Sequence, residues 1–269
     1  MRKSSFVLVT LVSLALFGLS VTPASAQSEE ELAKELANPI ASLISFPLQQ
    51  NFDTNFKASH GFKYTLNIQP VIPFALNADW NLISRTILPV ASQYNVTADG
   101  GVQTGLGDTI QSFFFSPSRP TKGGLTWGAG PVFLLPTATD NSLGGGKWGI
   151  GPTIVILKQS GPWTFGLLAN HVWSFAGVAE RSDVSTTFFQ PFVSRVYKGG
   201  FSWTVNSENS QNWTADAFVG SLNVSVAQVV PVFGQLTQIS IGPKIFYGNA
   251  PVRPRWGFRV SLVFLFPKK

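Results

Sequence analysis

Few residues in this chain could do chemistry, and their types and spacing narrow what it would be. There are two histidines, His60 and His171. They are far apart in sequence and belong to no metal-spaced cluster, and the absence of cysteine removes thiolate chemistry and disulfides. His171 follows Asn170, so the two could act as base and orienter of a membrane hydrolase. No G-x-S-x-G accompanies them, and no serine is placed by sequence to be the nucleophile. Gly105 and Gly107 are not a phosphate loop, because no helix pattern and no Gly-Lys-Ser/Thr follows. Asn95-Val96-Thr97 matches a glycosylation triplet, which is read as a chance match. No catalytic residue, metal ligand or cofactor is therefore expected. The remaining candidates are charges embedded in apolar-rich segments: Arg85, Asp108, Arg195, Lys244 and Arg259.

The elements that must position these charges read as short strands. Only 12% of the 269 residues are charged, against about 25% in soluble domains, while 44% are hydrophobic. Beyond the N-terminus, no apolar run is long enough to cross a membrane as a helix. From Ser45 onwards, twelve segments alternate with turn residues. They cover 44–53, 63–71, 80–90, 105–115, 124–136, 147–158, 163–175, 184–196, 201–209, 213–229, 235–247 and 255–266. Each is near the 9–11 residues that a tilted membrane strand requires, or somewhat longer. The breaks carry Asn77-Ala78-Asp79, Ser116-Pro117-Ser118, Ser160-Gly161-Pro162, Lys198-Gly199-Gly200 and Phe233-Gly234. The expected fold is all-β: a transmembrane antiparallel up-and-down barrel of about twelve strands. An even count puts both ends of the barrel on the periplasmic side.

Alternation supports a lipid face and a lumen face. Phe258, Val260, Leu262, Phe264 and Phe266 share one face of the last segment, and Gly257, Arg259 and Ser261 the other. Tyr64, Leu66 and Ile68 likewise oppose Thr65, Asn67 and Gln69. The run around Phe113, Phe114 and Phe115 fits neither phase cleanly. All eight tryptophans fall near segment ends. Trp80, Trp127, Trp163 and Trp203 fall on the periplasmic side, and Trp148, Trp173, Trp213 and Trp256 on the outer side. That spacing predicts two aromatic girdles at the headgroup levels. Ten residues separate Trp163 from Trp173, a rise of about 23 Å on a strand tilted by about 45°, close to the height of the apolar band.

The N-terminus is an export address. Arg2 and Lys3 precede an apolar core, Phe6 to Leu19, of about 14 residues, short of the roughly 20 that span a bilayer. Ala24-Ser25-Ala26 completes a cleavage pattern, giving a signal peptide at 1–26. A periplasmic segment, 27–43, follows, with Ser28 as a helix cap, Glu29 to Glu31 at the positive helix end and Pro39 as a stop. It suits a plug of the lumen or a loose tail. The barrel occupies 44–269. The last strand ends on Phe266, resembling the C-terminal targeting strand of outer-membrane barrels, although Pro267-Lys268-Lys269 follow. Phe264 and Phe266 are thus the expected assembly signal, with the barrel-assembly machinery and outer-membrane lipid as partners.

Trp127-Gly128-Ala129-Gly130-Pro131 recurs as Trp148-Gly149-Ile150-Gly151-Pro152 on a neighbouring segment. The alternate glycines either make room in the lumen or bend the wall, and the second reading is favoured. Further motifs are Gly105-Leu106-Gly107-Asp108, Leu135-Pro136-Thr137-Ala138-Thr139-Asp140 and Leu143-Gly144-Gly145-Gly146-Lys147-Trp148. Together with Gly130-Pro131 and Gly151-Pro152, they resemble the pattern of the phenol-degradation MetA-like outer-membrane proteins. Asn38-Pro39-Ile40-Ala41-Ser42-Leu43-Ile44-Ser45 and Asn67-Ile68-Gln69-Pro70-Val71-Ile72-Pro73 are similar to a transporter-labelled subgroup. The resemblance covers nearly the whole mature chain. It implies a membrane barrel that moves small, including aromatic, compounds.

Within such a barrel the embedded charges acquire a direction. An Arg or Lys facing lipid at mid-depth costs about 2–4 kcal/mol, so these residues are expected inside or at an interface. Arg85, between Ser84 and Thr86, and Arg259, alternating with aromatics, are the firmest inward assignments. A mainly basic lumen favours anions. Alternatively, inward arginines pair with Asp108 or another carboxylate and brace the wall. The net charge of +6 is scattered and forms no stripe, which argues against nucleic acid. Three functions follow: a passive channel for small anionic or aromatic solutes, a closed barrel acting through its loops, and an outer-membrane hydrolase. The first is favoured.

Overall fold

In the computed structural model, residues 28–56, 60–97 and 100–267 are described; the expected signal peptide lies outside them. Fourteen strand segments form one closed antiparallel sheet of twelve staves. They are β1 (Ile44–Thr54), β2 (Phe62–Ile68), β3 (Val71–Ala75), β4 (Trp80–Tyr94), β5 (Val102–Leu106), β6 (Thr109–Pro117) and β7 (Leu125–Leu135), followed by β8 (Lys147–Ser160), β9 (Trp163–Gly177), β10 (Ser185–Val196), β11 (Phe201–Asn212), β12 (Ala217–Val232), β13 (Gln235–Gly248) and β14 (Trp256–Phe266). Segments β2 and β3 make one stave, both pairing with β1 and β4, and Pro70 between them cannot donate to a ladder. Segments β5 and β6 make another, both pairing with β4 and interrupted at Gly107-Asp108. Every expected segment is a stave. The expected start at Trp213 is wrong: residues 213–216 turn, with the Asn212 side chain accepting the amides of Thr214 and Ala215, and β12 begins at Ala217.

Closure comes from β1 and β14, paired without slip from Ile44 opposite Phe266 to Thr54 opposite Trp256. The side-chain period of two then sorts residues between wall faces. In β8, Val155 and Leu157 are 0% and 1% exposed, whereas Ile154 and Ile156 on the outer face are 40% and 37% exposed. Such an apolar outer band is stable only against lipid. Phe113 and Phe115 point outward and Phe114 inward, where it is almost fully buried.

Phe114 can be inward because the half of the lumen nearest Ile44 and Phe266 is not aqueous. The N-terminal segment occupies much of it. Helix α1 (Glu29–Leu36) starts with a capping box, Ser28 Oγ accepting the Glu31 amide while Glu31 accepts the Ser28 amide. An eight-residue helix is marginal alone, so the barrel holds it. Leu32 and Ala33 pack with Val196, Val229, Val263 and Leu265 of the wall. Ile40, beyond the helix, packs with Ile83, Phe114, Val155 and Leu157. Gly128 makes the space: a Cβ there would lie 3.2 Å from Ile40 Cδ1. Gly200 in the β10–β11 turn has φ +78°, and a Cβ there would lie 2.8 Å from Glu29 Cβ. Of the other three glycines of the repeat, Gly130 and Gly151 lie against the backbones of Phe113 and His171, so they set close strand approach, and Gly149 lies against the Val172 side chain.

Candidate functional site

Above α1 the lumen opens into a cavity of about 610 Å³, with Ala33, Leu36 and Ala37 as its floor. A second space of about 250 Å³ lies beside residues 35–43 and shares Gln49, Gln69 and Arg85 with the first. The main cavity has two unlike walls. Ile87, Ile110, Leu134, Leu168, Val172 and Phe188, from β4, β6, β7, β9 and β10, make an apolar wall. Gln49, Asn67, Gln69, Asn206, Ser240 and Ser261, from β1, β2, β11, β13 and β14, make a polar one. Gln49 Oε1 accepts from both Asn67 Nδ2 and Gln69 Nε2, at 3.3 and 3.2 Å, which orders that wall.

The inward charges are mostly paired. Arg259 donates two parallel bonds to Glu208, at 2.8 and 2.9 Å, and a third from Nε to Asn51 at 2.8 Å. This bidentate geometry is the strong form of an ion pair. Lys244 Nζ reaches Asp53 at 3.1 Å and Asn51 at 3.3 Å. Asn51 thus joins two ion pairs into one network. Arg85 differs. Its one hydrogen bond among the described residues runs from Nη2 to Gln69 Oε1 at 3.2 Å, and it has no ion-pair partner among them. It lines both cavities.

Two of the five charges are not placed as expected. Arg195 is outward, a correction to its assignment to the lumen. Its neighbour Ser194 lines the cavity, so the pleat turns Arg195 to the outer face. There its guanidinium lies 5.1 Å from the Trp163 ring centre and 4.7 Å from that of Tyr197, near the periplasmic end of β10. An arginine over aromatic rings at the interface avoids the cost of mid-depth lipid. Asp108 is not free to touch solute either. Its carboxylate accepts the amides of Ala138 and Gly145, at 3.2 and 2.6 Å, and so pins the β7–β8 loop to the break between β5 and β6. Arg181 clamps the same loop through the carbonyls of Asn141, Gly144 and Gly145.

Seven of the eight tryptophans sit within two residues of a stave end on the outer face or in the adjoining turn, and Trp173 lies four residues inside the end of β9. Trp80 packs edge-on to Trp127 at 6.0 Å, and Trp163 to Trp203 at 5.5 Å. Trp148, Trp173, Trp213 and Trp256, at the other rim, are each about half exposed or more. Phe266 is on the outer face and exposed, and Phe264 shares that face. His60 sits in the β1–β2 loop against Asn55, at 2.9 Å. His171 is on the outer wall, with Nδ1 2.7 Å from Thr187 Oγ1 and its ring 4.1 Å from that of Trp173. Ser185 Oγ lies 3.5 Å from Nε2, a contact at the limit of a hydrogen bond. Thr187 also accepts from Trp213 Nε1 at 2.8 Å, so the imidazole is braced within the outer aromatic rim.

Glu208, Asn51, Asp53, Gln49 and Gln69 were not singled out from sequence, although each lies on the inward phase of its strand. The available signal was a lone Glu in register with Ser202, Thr204 and Asn206 along β11.

No family model matches the chain, and no curated protein does. Among solved structures, the COG4313 outer membrane channel from Pseudomonas putida F1 superposes with a TM-score of 0.68 at 12% identity, over 84% of this chain and 96% of that one. The beta domain of the Bordetella autotransporter BrkA gives 0.48 at 11% identity, over 82% and 98%. The CymD monoaromatic hydrocarbon channel gives 0.42 at 7% identity, over 89% and 91%. The first likeness establishes the shared fold, that of an outer-membrane β-barrel.

Proposed function

We propose that the chain is exported, loses residues 1–26, and works in the outer membrane as a passive channel for small solutes rather than as an enzyme. The observation that carries this reading is the two-walled cavity inside a closed barrel, set above a docked helix. A cavity of that volume is in the range that encloses a small organic molecule. The solved neighbour described as an outer membrane channel supports it, as does the resemblance to the MetA-like family. Passage to the periplasm runs beside α1 and residues 37–43, which narrow the lower lumen to a side space of about 250 Å³. The amphipathic lining favours solutes with both an apolar body and a polar or anionic group.

Solute uptake by liposomes carrying the refolded mature protein tests this, with a small aromatic acid set against a neutral sugar of similar size. Uptake of the acid alone is expected. Uptake of both would mean a general pore. If neither enters a demonstrably folded barrel, the second reading replaces the first: a closed barrel acting through its outer loops. The clamping of the β7–β8 loop by Arg181 and Asp108 is the observation that favours that alternative.

A further inference from the structure

Arg85 stands at the seam between the two cavity walls. Its inward neighbours on one side are Gln69 and, through Gln69, Gln49. On the other side are Ile87, two residues along β4, and Ser112, its partner on β6. Ile87 lies opposite Ile110, and Ile110 opposite Leu134, so an apolar strip runs from Arg85 across three strands. All of these residues line the same cavity. The two paired cations of the network, unlike Arg85, have carboxylates: Arg259 holds both oxygens of Glu208, and Lys244 holds Asp53. A guanidinium has five N–H donors in a planar fork suited to a carboxylate. Arg85 spends one on Gln69 and faces the cavity beside an apolar strip.

We infer that Arg85 is the head-group subsite for an amphiphilic monocarboxylate, a carboxylate carried on a compact aromatic or aliphatic body. The carboxylate takes the free edge of the Arg85 guanidinium, and the body lies along Ile87, Ile110 and Leu134. Each wall alone is unselective: the polar wall suits water, and the apolar strip suits any greasy solute. Their junction at a cation with no ion-pair partner among the described residues discriminates, because leaving the acid out forfeits a charge-assisted bond and leaving the body out forfeits apolar burial. On this reading, burial along the strip gives such an acid an advantage over chloride or another small anion. This inference rests on solute reaching the cavity, as the channel reading requires.

The test is binding to the mature protein in lipid nanodiscs by titration calorimetry, using 3-phenylpropionate, 3-phenylpropanol and acetate. The acid should bind at least about tenfold tighter than the alcohol and than acetate. In Arg85→Met the preference for acid over alcohol should fall below about twofold, whereas Arg85→Lys should keep part of it. Leu134→Asn should narrow the gap between 3-phenylpropionate and acetate. The wild-type comparison needs no variant: equal binding of acid and alcohol overturns the inference, as does a preference that survives in Arg85→Met. Acetate binding as tightly as 3-phenylpropionate removes the apolar strip from the site. Liposome uptake measured in parallel separates the two readings. Uptake without preference removes the subsite and leaves the channel, and preference without uptake does the reverse.

Discussion

At the residue scale, the lumen network is organised by Asn51. Its Oδ1 accepts from both Arg259 and Lys244, which would otherwise repel each other. Removing one member should therefore cost more than its own bonds. Arg259→Met leaves Glu208 without its bidentate partner while Lys244 stays in place. Both partners retain some exposure to the cavity, so the expected loss is about 1–3 kcal/mol rather than the value for a dry pair. Arg259→Met/Glu208→Gln should recover much of it, and urea unfolding of the four members of the double-mutant cycle measures the coupling. A coupling near zero would mean that the pair braces nothing. A second charge contact lies outside the wall. Asp183, in the β9–β10 loop, sits 3.2 Å from Lys147 and accepts Ser174 Oγ. The lysine hydrogen bond, the serine and the lysine charge hold its carboxyl below the ordinary value of 3.8. With a lowered value, the tether is intact above about 3.8 and is lost as pH falls through the lower folded value. The chain has no cysteine, so a spin label at Glu180→Cys reports on this loop alone. Its mobility should be constant at neutral pH and rise only below the ordinary carboxylate range, and Asp183→Asn should be mobile throughout. The phase of Arg259 was legible because it alternates with outward aromatics, whereas that of Arg85 was read only from its polar flanks Ser84 and Thr86, which themselves lie on the outer phase. That of Arg195 was not legible, because Phe188 and Phe189 put aromatic bulk on both phases of one strand.

At the element scale, that ambiguity has a single physical cause. A barrel with an aqueous lumen writes a polar inner phase along every strand, and sequence reading assumes it. Here Phe114, Phe188, Phe192, Val155 and Leu157 are inward and apolar because the segment around Ile40 packs against them. The twelve staves and the placing of the tryptophans near stave ends were legible, since these depend on local spacing. The docking of α1 was not, because Ser28, Leu32 and Leu36 read equally well as a capped helix in solvent or in a lumen. The packing does decide it. Leu32 is fully buried, worth about 1.5–3 kcal/mol, and Gln159 Nε2 donates to the Lys34 carbonyl at 2.8 Å. Leu32→Asp puts a charge into an apolar contact, which a marginal helix cannot sustain. The variant should release α1 while the wall stays closed, and liposome uptake of a neutral sugar should rise at least about fivefold. Glu30→Gln, at an exposed helix position, should leave uptake unchanged. Equal uptake in wild type and Leu32→Asp would show that α1 is not what limits passage.

At the scale of the whole molecule, the barrel exists only once β14 meets β1, since these strands lie at opposite ends of the chain. The seam runs the full length of both strands, and its periplasmic end is the pair Ile44 and Phe266. Phe266 contributes little to packing there: it is 44% exposed on the outer face, whereas its neighbour Leu265 is fully buried against the α1 cluster. Truncating it should cost the finished barrel little. A targeting signal read before closure behaves differently, because the machinery would meet β14 as an unpaired strand whose outward aromatics, Phe264 and Phe266, are available. Phe266→Ala should therefore lower the amount of folded protein in the outer membrane several-fold, measured as the heat-modifiable band on gels. The purified variant should refold into detergent as completely as wild type, with a urea midpoint within about 0.5 kcal/mol of it. Leu265→Ala supplies the opposite pattern, a loss of stability in detergent of about 2–5 kcal/mol from a buried cavity. If Phe266→Ala fails equally in cells and in detergent, the residue is a structural closure contact. If it fails in neither, the end of β14 carries no assembly signal.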